Sequence, residues 1–262
     1  STISAGGFSL SRLRGLGIVD MTFILRSGSS AGAISWEDVP MEFTTIHLMR
    51  HGEVDNPDGV LYGRLPGYGL TPLGFEMAET VADYLVREKR DITNVIASPL
   101  LRAQESALPT AIAYGLPIQP DPRLAEAGSR FQGHQINKNR WVLAHPRNWH
   151  LYSRPHEPSW GEPYFDIVER MSAAISGALE EARGHEALVV SHQLPIVCVQ
   201  RFLEGRPLSH IPTRRMCSLA SLTSLLFEGN TLAGWSYAEP AAELLKKAED
   251  MSPGLSNAEI KR

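Results

Sequence analysis

At 262 residues the chain has room for one large domain or two small ones, and its 43% apolar content lets it bury a sizeable core. A formal net charge of -4 and a pI near 6.1 argue against a general nucleic-acid binder, whose affinity depends on a basic surface. Two cysteines, Cys198 and Cys217, cannot staple a fold of this size and form no CxxC pair for zinc or redox chemistry. They fit a reducing compartment, so a cytoplasmic location is expected. No apolar run is long enough to cross a bilayer, and no membrane partner is expected.

Residues 1–40 are rich in Ser and Gly, carry Arg12, Arg14 and Arg26, and hold no acidic residue before Asp20. An organellar transit peptide can look like this. The plainer reading is an upstream extension ahead of a start at Met41, outside the catalytic fold. From Phe43 to Met49 the residues are β-branched and apolar, as in a buried strand. Thr71 caps a helix with Pro72 at its first position, running to about Lys89. Asn94–Ala97 is a second strand, and Pro99 opens a helix ending near Gly115. Residues 116–160 read as irregular. A long helix follows from about Tyr164 to Arg183, then a third strand at Glu186–Val190 and a helix from Pro195 to about Glu204. Residues 217–227 and 231–237 form a last strand pair turning at Gly229-Asn230. The stretch 241–262 is a polar tail with a short helix at its start. Strands alternating with helices predict an α/β fold, a mainly parallel sheet covered on both faces. Ligands of such sheets sit beyond the carboxyl ends of the strands.

Three motifs fall at those ends. Arg50-His51-Gly52-Glu53 follows the first strand. A guanidinium suits phosphoryl oxygens, and the glycine is expected to let backbone N–H groups approach an anion. Ser98-Pro99-Leu-Leu-Arg102-Ala follows the second strand and opens a helix. A cation in a first turn is electrostatically out of place unless an anion joins it. The bland alternative is a solvated Arg102 paired with Glu105. Ser191-His192 ends the third strand. A lone histidine is usually a satisfied core residue, but two imidazoles and two guanidiniums at one crevice are hard to explain as packing.

In order, spacing and strand context, these motifs resemble the histidine phosphatase superfamily, which includes phosphoglycerate mutases and many phosphatases. The resemblance covers roughly residues 43–238. It implies a phosphoglycerate mutase-like fold within residues 41–240, with a cap inserted at about 127–160. It implies that His51 attacks phosphorus and becomes a phosphohistidine, which water hydrolyses. Arg50, Arg102 and a protonated His192 would then stabilise the equatorial oxygens. No metal or other cofactor is called for, because these three cations take a magnesium ion's place. Leu124-Ala125-Glu126 matches the family's Leu-x-Glu segment, making Glu126 the candidate acid for the leaving group. A dianionic substrate beside it would help it hold a proton. Gly52, Glu53, Asn56 and Arg64 are candidate substrate-binding residues. Glu53 could hold an arginine, touch substrate or form a rim salt bridge. Asn56 sits one place closer to the nucleophile than in the mutase pattern. Arg64 reaches the substrate's far end or is solvated.

The chain also departs from the mutase branch. The charged Arg- and Tyr-containing segment that grips phosphoglycerate is not found. Residues 127–160 instead carry Phe131, Trp141, Trp149, Tyr152 and Trp160 among Arg130, Lys138, Arg140, Arg147 and Arg154. They suggest an amphipathic lid, or a cap whose aromatics pack on the core. Pro163 stands where the family's Gly-Glu-Ser segment has its serine. A phosphatase acting on a phosphorylated small molecule and releasing inorganic phosphate is the expectation. A mutase and a non-catalytic phospho-ligand binding module stay open, and the chain is compatible with a homodimer.

Overall fold

A computed structural model describes residues 42–135 and 161–250. The expected extension at 1–40, most of the cap, and the end of the tail lie outside the described residues. Six strands form one sheet: β1 (Phe43–Arg50), β2 (Ile92–Ala97), β3 (Ile118–Pro120), β4 (Glu186–Ser191), β5 (Leu222–Glu228) and β6 (Thr231–Ala238). Their order is β3-β2-β4-β1-β5-β6. The first four strands in that order run parallel, and β5 and β6 join antiparallel at the edge. The long helices are α1 (Pro72–Arg87), α2 (Leu101–Tyr114), α3 (Tyr164–Glu181) and α4 (Gln193–Leu203), with a short α5 (Ala242–Leu245). None of these helices is long and apolar enough to cross a membrane.

The alternation of strand side chains sorts the core into two layers. Ile46, Leu48, Ile96, Val189 and Leu225 point to one face and pack with Ile167, Met171, Ile175 and Ile196 of α3 and α4. Met49, Val95, Ala97, Leu188 and Val190 point to the other and pack with Met77, Val81, Leu85, Ala103 and Ala107 of α1 and α2. Central strands buried on both faces must be apolar throughout, which is why they read as continuous hydrophobic runs. One exception is His47, whose ring joins Ser224 at 2.7 Å and Glu186 at 2.6 Å, cross-linking three strands.

Thr71 caps α1 by accepting from the Gly74 N–H at 2.9 Å, and Pro72 takes the first turn as expected. Several boundaries differ from expectation. Residues 116–160 are not wholly irregular: β3 and a 3-10 turn at Pro122–Leu124 lie there. The helix after Ser98 begins at Leu101, because Leu100 stays extended at ψ 134°.

Candidate active site

Register brings the motifs together. Across the β1–β4 pair, Arg50 stands opposite Ser191, and Ala97 of β2 stands opposite Val190. The three central strands therefore end level, and His51, His192 and Ser98 emerge side by side. The rings of His51 and His192 lie 5.2 Å apart, tilted by 60°. Arg50, His51, Arg102 and His192 are each at most 2% exposed.

His51 Nδ1 lies 2.8 Å from the Gly52 carbonyl. A carbonyl only accepts, so Nδ1 carries the proton and Nε2 keeps its lone pair. Nε2 makes no hydrogen bond among the described residues. Burial, then Arg102 and Arg50, hold this ring's pKa well below its ordinary 6.5. The ring is therefore neutral at neutral pH.

His192 Nε2 meets Ser98 Oγ at 2.9 Å, and its Nδ1 is buried without a partner among the described residues. With Ser98 donating to Nε2, Nδ1–H is a donor. An imidazolium was expected here, but burial and the charge of Arg102 push the pKa of His192 well below 6.5. With protein groups alone around it, the ring is neutral; an anion beside Nδ1 would draw the second proton in.

The two arginines are fixed from behind. Arg50 Nη1 donates to the Cys217 carbonyl at 2.7 Å, and both Nη atoms grip Asp250 at 2.7 and 2.8 Å. Burial opposes its charge, but Asp250 outweighs that and raises its pKa. Arg102 Nη2 donates to the Gly63 carbonyl at 2.7 Å, and its guanidinium lies over the Tyr62 ring at 4.6 Å. The expected alternative partner, Glu105, instead accepts from the Leu70 N–H at 2.6 Å. Among the described residues Arg102 thus has no ion-pair partner, and burial lowers its pKa. Burying an unpaired cation costs several kcal/mol, more than one carbonyl and a cation–π contact return. Stability alone does not account for Arg102 in this place. The Nε atoms of Arg50 and Arg102 are buried and, like His192 Nδ1, have no partner among the described residues.

The other predicted residues take varied positions. Glu126 sits within electrostatic reach of Arg102 and Tyr62, and its Oε1 accepts from the Ala127 N–H at 2.7 Å. Arg64 stands at the rim: its Nε donates to the Glu126 carbonyl at 2.5 Å and its Nη2 pairs with Glu162 at 2.8 Å. Glu162 also pairs with Arg170 at 2.8 Å, so this hub anchors the segment carrying Glu126. Gly52 plays a different part from the one expected. Its N–H donates to Ser106 Oγ at 3.0 Å, and an added Cβ would lie 2.5 Å from the Gly74 carbonyl oxygen. It is glycine because β1 and α1 pass too closely for a side chain. Both oxygens of Glu53 are engaged away from the arginines, accepting from Thr71 Oγ1 at 2.5 Å and the Glu249 N–H at 2.6 Å. Asn56 folds back on its own loop, bonding the Val60 carbonyl at 2.9 Å and the Val60 N–H at 3.1 Å. Pro163 occupies the N-cap of α3 with no side-chain cap.

Sequence reasoning missed Ser98, Tyr62 and Asp250 as site residues. Ser98 had a signal, its place directly after a strand beside Arg102. Asp250 had none, being 200 residues from Arg50 in a polar tail.

The low pKa of both histidines has a stability consequence. The unfolded chain takes up protons as pH falls below about 6.5, while the folded rings resist. This contribution is absent above pH 6.5 and destabilises progressively below it. Melting temperature should fall between about pH 6.5 and 5, and less steeply in inorganic phosphate. A slope that His192→Asn leaves unchanged would remove His192 from this linkage.

The model of the histidine phosphatase superfamily (branch 1) matches residues 46–238. Protein Rv0525 of Mycobacterium tuberculosis is 47% identical over 201 residues, covering 77% of this chain and 98% of that protein. The Yersinia pestis protein named "Probable phosphoglycerate mutase GpmB" is 31% identical over 194 residues, covering 67% of this chain and 82% of its own. The structure of YhfR from Bacillus stearothermophilus superposes with a TM-score of 0.61 at 25% identity, covering 72% of this chain and 94% of that one. By sequence, by fold and by the placing of its motifs, the chain belongs to the histidine phosphatase superfamily.

Proposed function

We propose that this protein is a metal-independent phosphatase that hydrolyses a phosphomonoester through a phosphohistidine on His51. The observation that carries this reading is one set of buried groups. Three buried nitrogens have no partner among the described residues: Arg50 Nε, Arg102 Nε and, with Ser98 donating to Nε2, the N–H of His192 Nδ1; they belong to residues in mutual electrostatic reach around a neutral His51. Unpaired buried donors are costly, and an anion accepting from all three removes that cost.

In the proposed reaction, His51 Nε2 attacks phosphorus in line with the ester oxygen. The N–P bond forms as the P–O bond breaks, and Glu126 delivers a proton to the departing alkoxide. Water then attacks the phosphohistidine, Glu126 takes its proton, and inorganic phosphate leaves. Arg50, Arg102 and His192 stabilise the equatorial oxygens in both steps.

A phosphatase is favoured over a mutase because the chain lacks the Arg- and Tyr-containing segment for holding the departing alcohol. The relation to GpmB favours the mutase reading. Nitrophenyl phosphate hydrolysis by the wild type, with no 2-phosphoglycerate formed from 3-phosphoglycerate and catalytic bisphosphoglycerate, supports the phosphatase. Interconversion of the phosphoglycerates would overturn it in favour of a mutase, and no turnover at all would leave a binding module.

Asp250 offers a separate check. If it holds Arg50 in place, Asp250→Ala should raise KM for nitrophenyl phosphate by about 3- to 10-fold with little change in kcat. A lower KM would instead make Asp250 a competitor for the guanidinium.

A further inference from the structure

Beside the phosphate hollow lies another guanidinium, which the proposed reaction does not use. Arg215 follows the 3-10 turn Pro212–Arg214 and stands two residues before Cys217, whose carbonyl holds Arg50. Its Nη1 donates to Gln193 Oε1 at 2.9 Å, and Gln193 directly follows His192. Its Nε donates to His210 Nε2 at 2.9 Å. His210 Nδ1 contacts the Leu208 carbonyl, and burial lowers this ring's pKa to about 4, so Nε2 is a neutral acceptor. Arg215 is therefore aimed by two uncharged groups. It forms no ion pair with any described carboxylate, and its Nη2 has no hydrogen-bond partner there. Burial lowers its pKa, and Glu126 is the charge that most opposes this shift. Arg215 thus lies within electrostatic reach of Glu126, the proposed leaving-group acid, and of Arg50.

A fixed, partly buried cation whose hydrogen-bond partners among the described residues are neutral keeps its charge and one edge of its fork for a further acceptor. It suits a ligand that brings its own negative charge. We propose that Arg215 is a specificity-determining residue, selecting phosphomonoesters whose alcohol portion carries a second anionic group, a carboxylate or a second phosphate. This inference rests on the phosphate hollow of the proposed function and names its substrate class.

Calorimetry with the full-length His51→Ala protein tests it without turnover. The probes are inorganic phosphate, glycerol 3-phosphate, 3-phosphoglycerate and propane-1,3-diol bisphosphate. Glycerol 3-phosphate and 3-phosphoglycerate differ only by a hydroxymethyl in place of a carboxylate. At least one doubly anionic probe should bind about 10-fold or more tighter than glycerol 3-phosphate. Adding Arg215→Gln should shrink that preference to about 2-fold or less, with inorganic phosphate and glycerol 3-phosphate held within about 3-fold. Arg215→Lys, which keeps the charge but loses the fork, should retain part of the preference. Phosphate binding without any preference for the doubly anionic probes overturns this inference and leaves the phosphatase reading standing. Equal weakening of all four probes by Arg215→Gln and Arg215→Lys also overturns it, since that is a structural role. No binding of any probe sinks both readings.

Discussion

Replacing His51 by alanine should lower turnover of nitrophenyl phosphate by about 10⁴-fold or more, while inorganic phosphate still binds. The two halves of this result come from different atoms. Turnover needs Nε2, which Gly52 exposes by holding the proton on Nδ1 at 2.8 Å. Binding needs the donors of Arg50, Arg102 and His192, none of which uses His51 as a partner. The variant should also fold, because the imidazole's one hydrogen bond among the described residues is to its own neighbouring backbone. Near-normal kcat in His51→Ala would end the covalent mechanism.

The second large effect should come from Arg102→Ala, with kcat/KM down by about 10²- to 10³-fold, or roughly 3–4 kcal/mol of transition-state stabilisation. Arg102 is buried and, among the described residues, paired only with the Gly63 carbonyl and the Tyr62 face. Its removal therefore costs little in fold contacts and relieves a buried charge. Melting temperature should stay level or rise in phosphate-free buffer while activity collapses. That opposition separates a catalytic cation from a structural one. Loss of stability together with activity would make Arg102 a scaffold residue instead. Arg102→Lys should recover little, because a lysine cannot hold Gly63 and offer a second donor edge at once.

The central sheet and the meeting of the four motif residues were legible because both depend on one simple pattern. Buried parallel strands must be apolar along their whole length, and each of the three central strands ends in a polar motif. Once the strands are neighbours, Arg50, Ser98 and His192 have nowhere else to go. Other features lacked such a pattern. β3 is three residues ending in Pro120, too short for any periodicity to register. The strand expected from residue 217 begins at Leu222, because Ala220 turns with φ 53°. That turn also carries the Ala220 N–H to the His51 carbonyl at 3.3 Å. Gly52 shows how a motif residue can be right in place and misread in purpose. Its lack of a side chain is demanded by the Gly74 backbone, a partner 22 positions away that local reading could not supply.

The contacts that fix the arginines were the least legible. Gly63, Cys217 and Asp250 approach through two carbonyls and a tail carboxylate, and none belongs to a recognisable motif. Glu53 was read as a pocket residue because of its place after His51. Its actual partners, Thr71 and Glu249, tie the N-terminus of α1 and the tail to the end of β1. Spacing along the chain says which residues share an element, but not which loops return to them.

The most direct test is rapid acid-free quenching of the wild type during turnover of ³²P-labelled substrate, followed by alkaline digestion and peptide mapping. The account predicts label that is stable to alkali, labile to acid, and located on His51. Label on another side chain, or hydrolysis with no protein-bound phosphorus at any time, would contradict it.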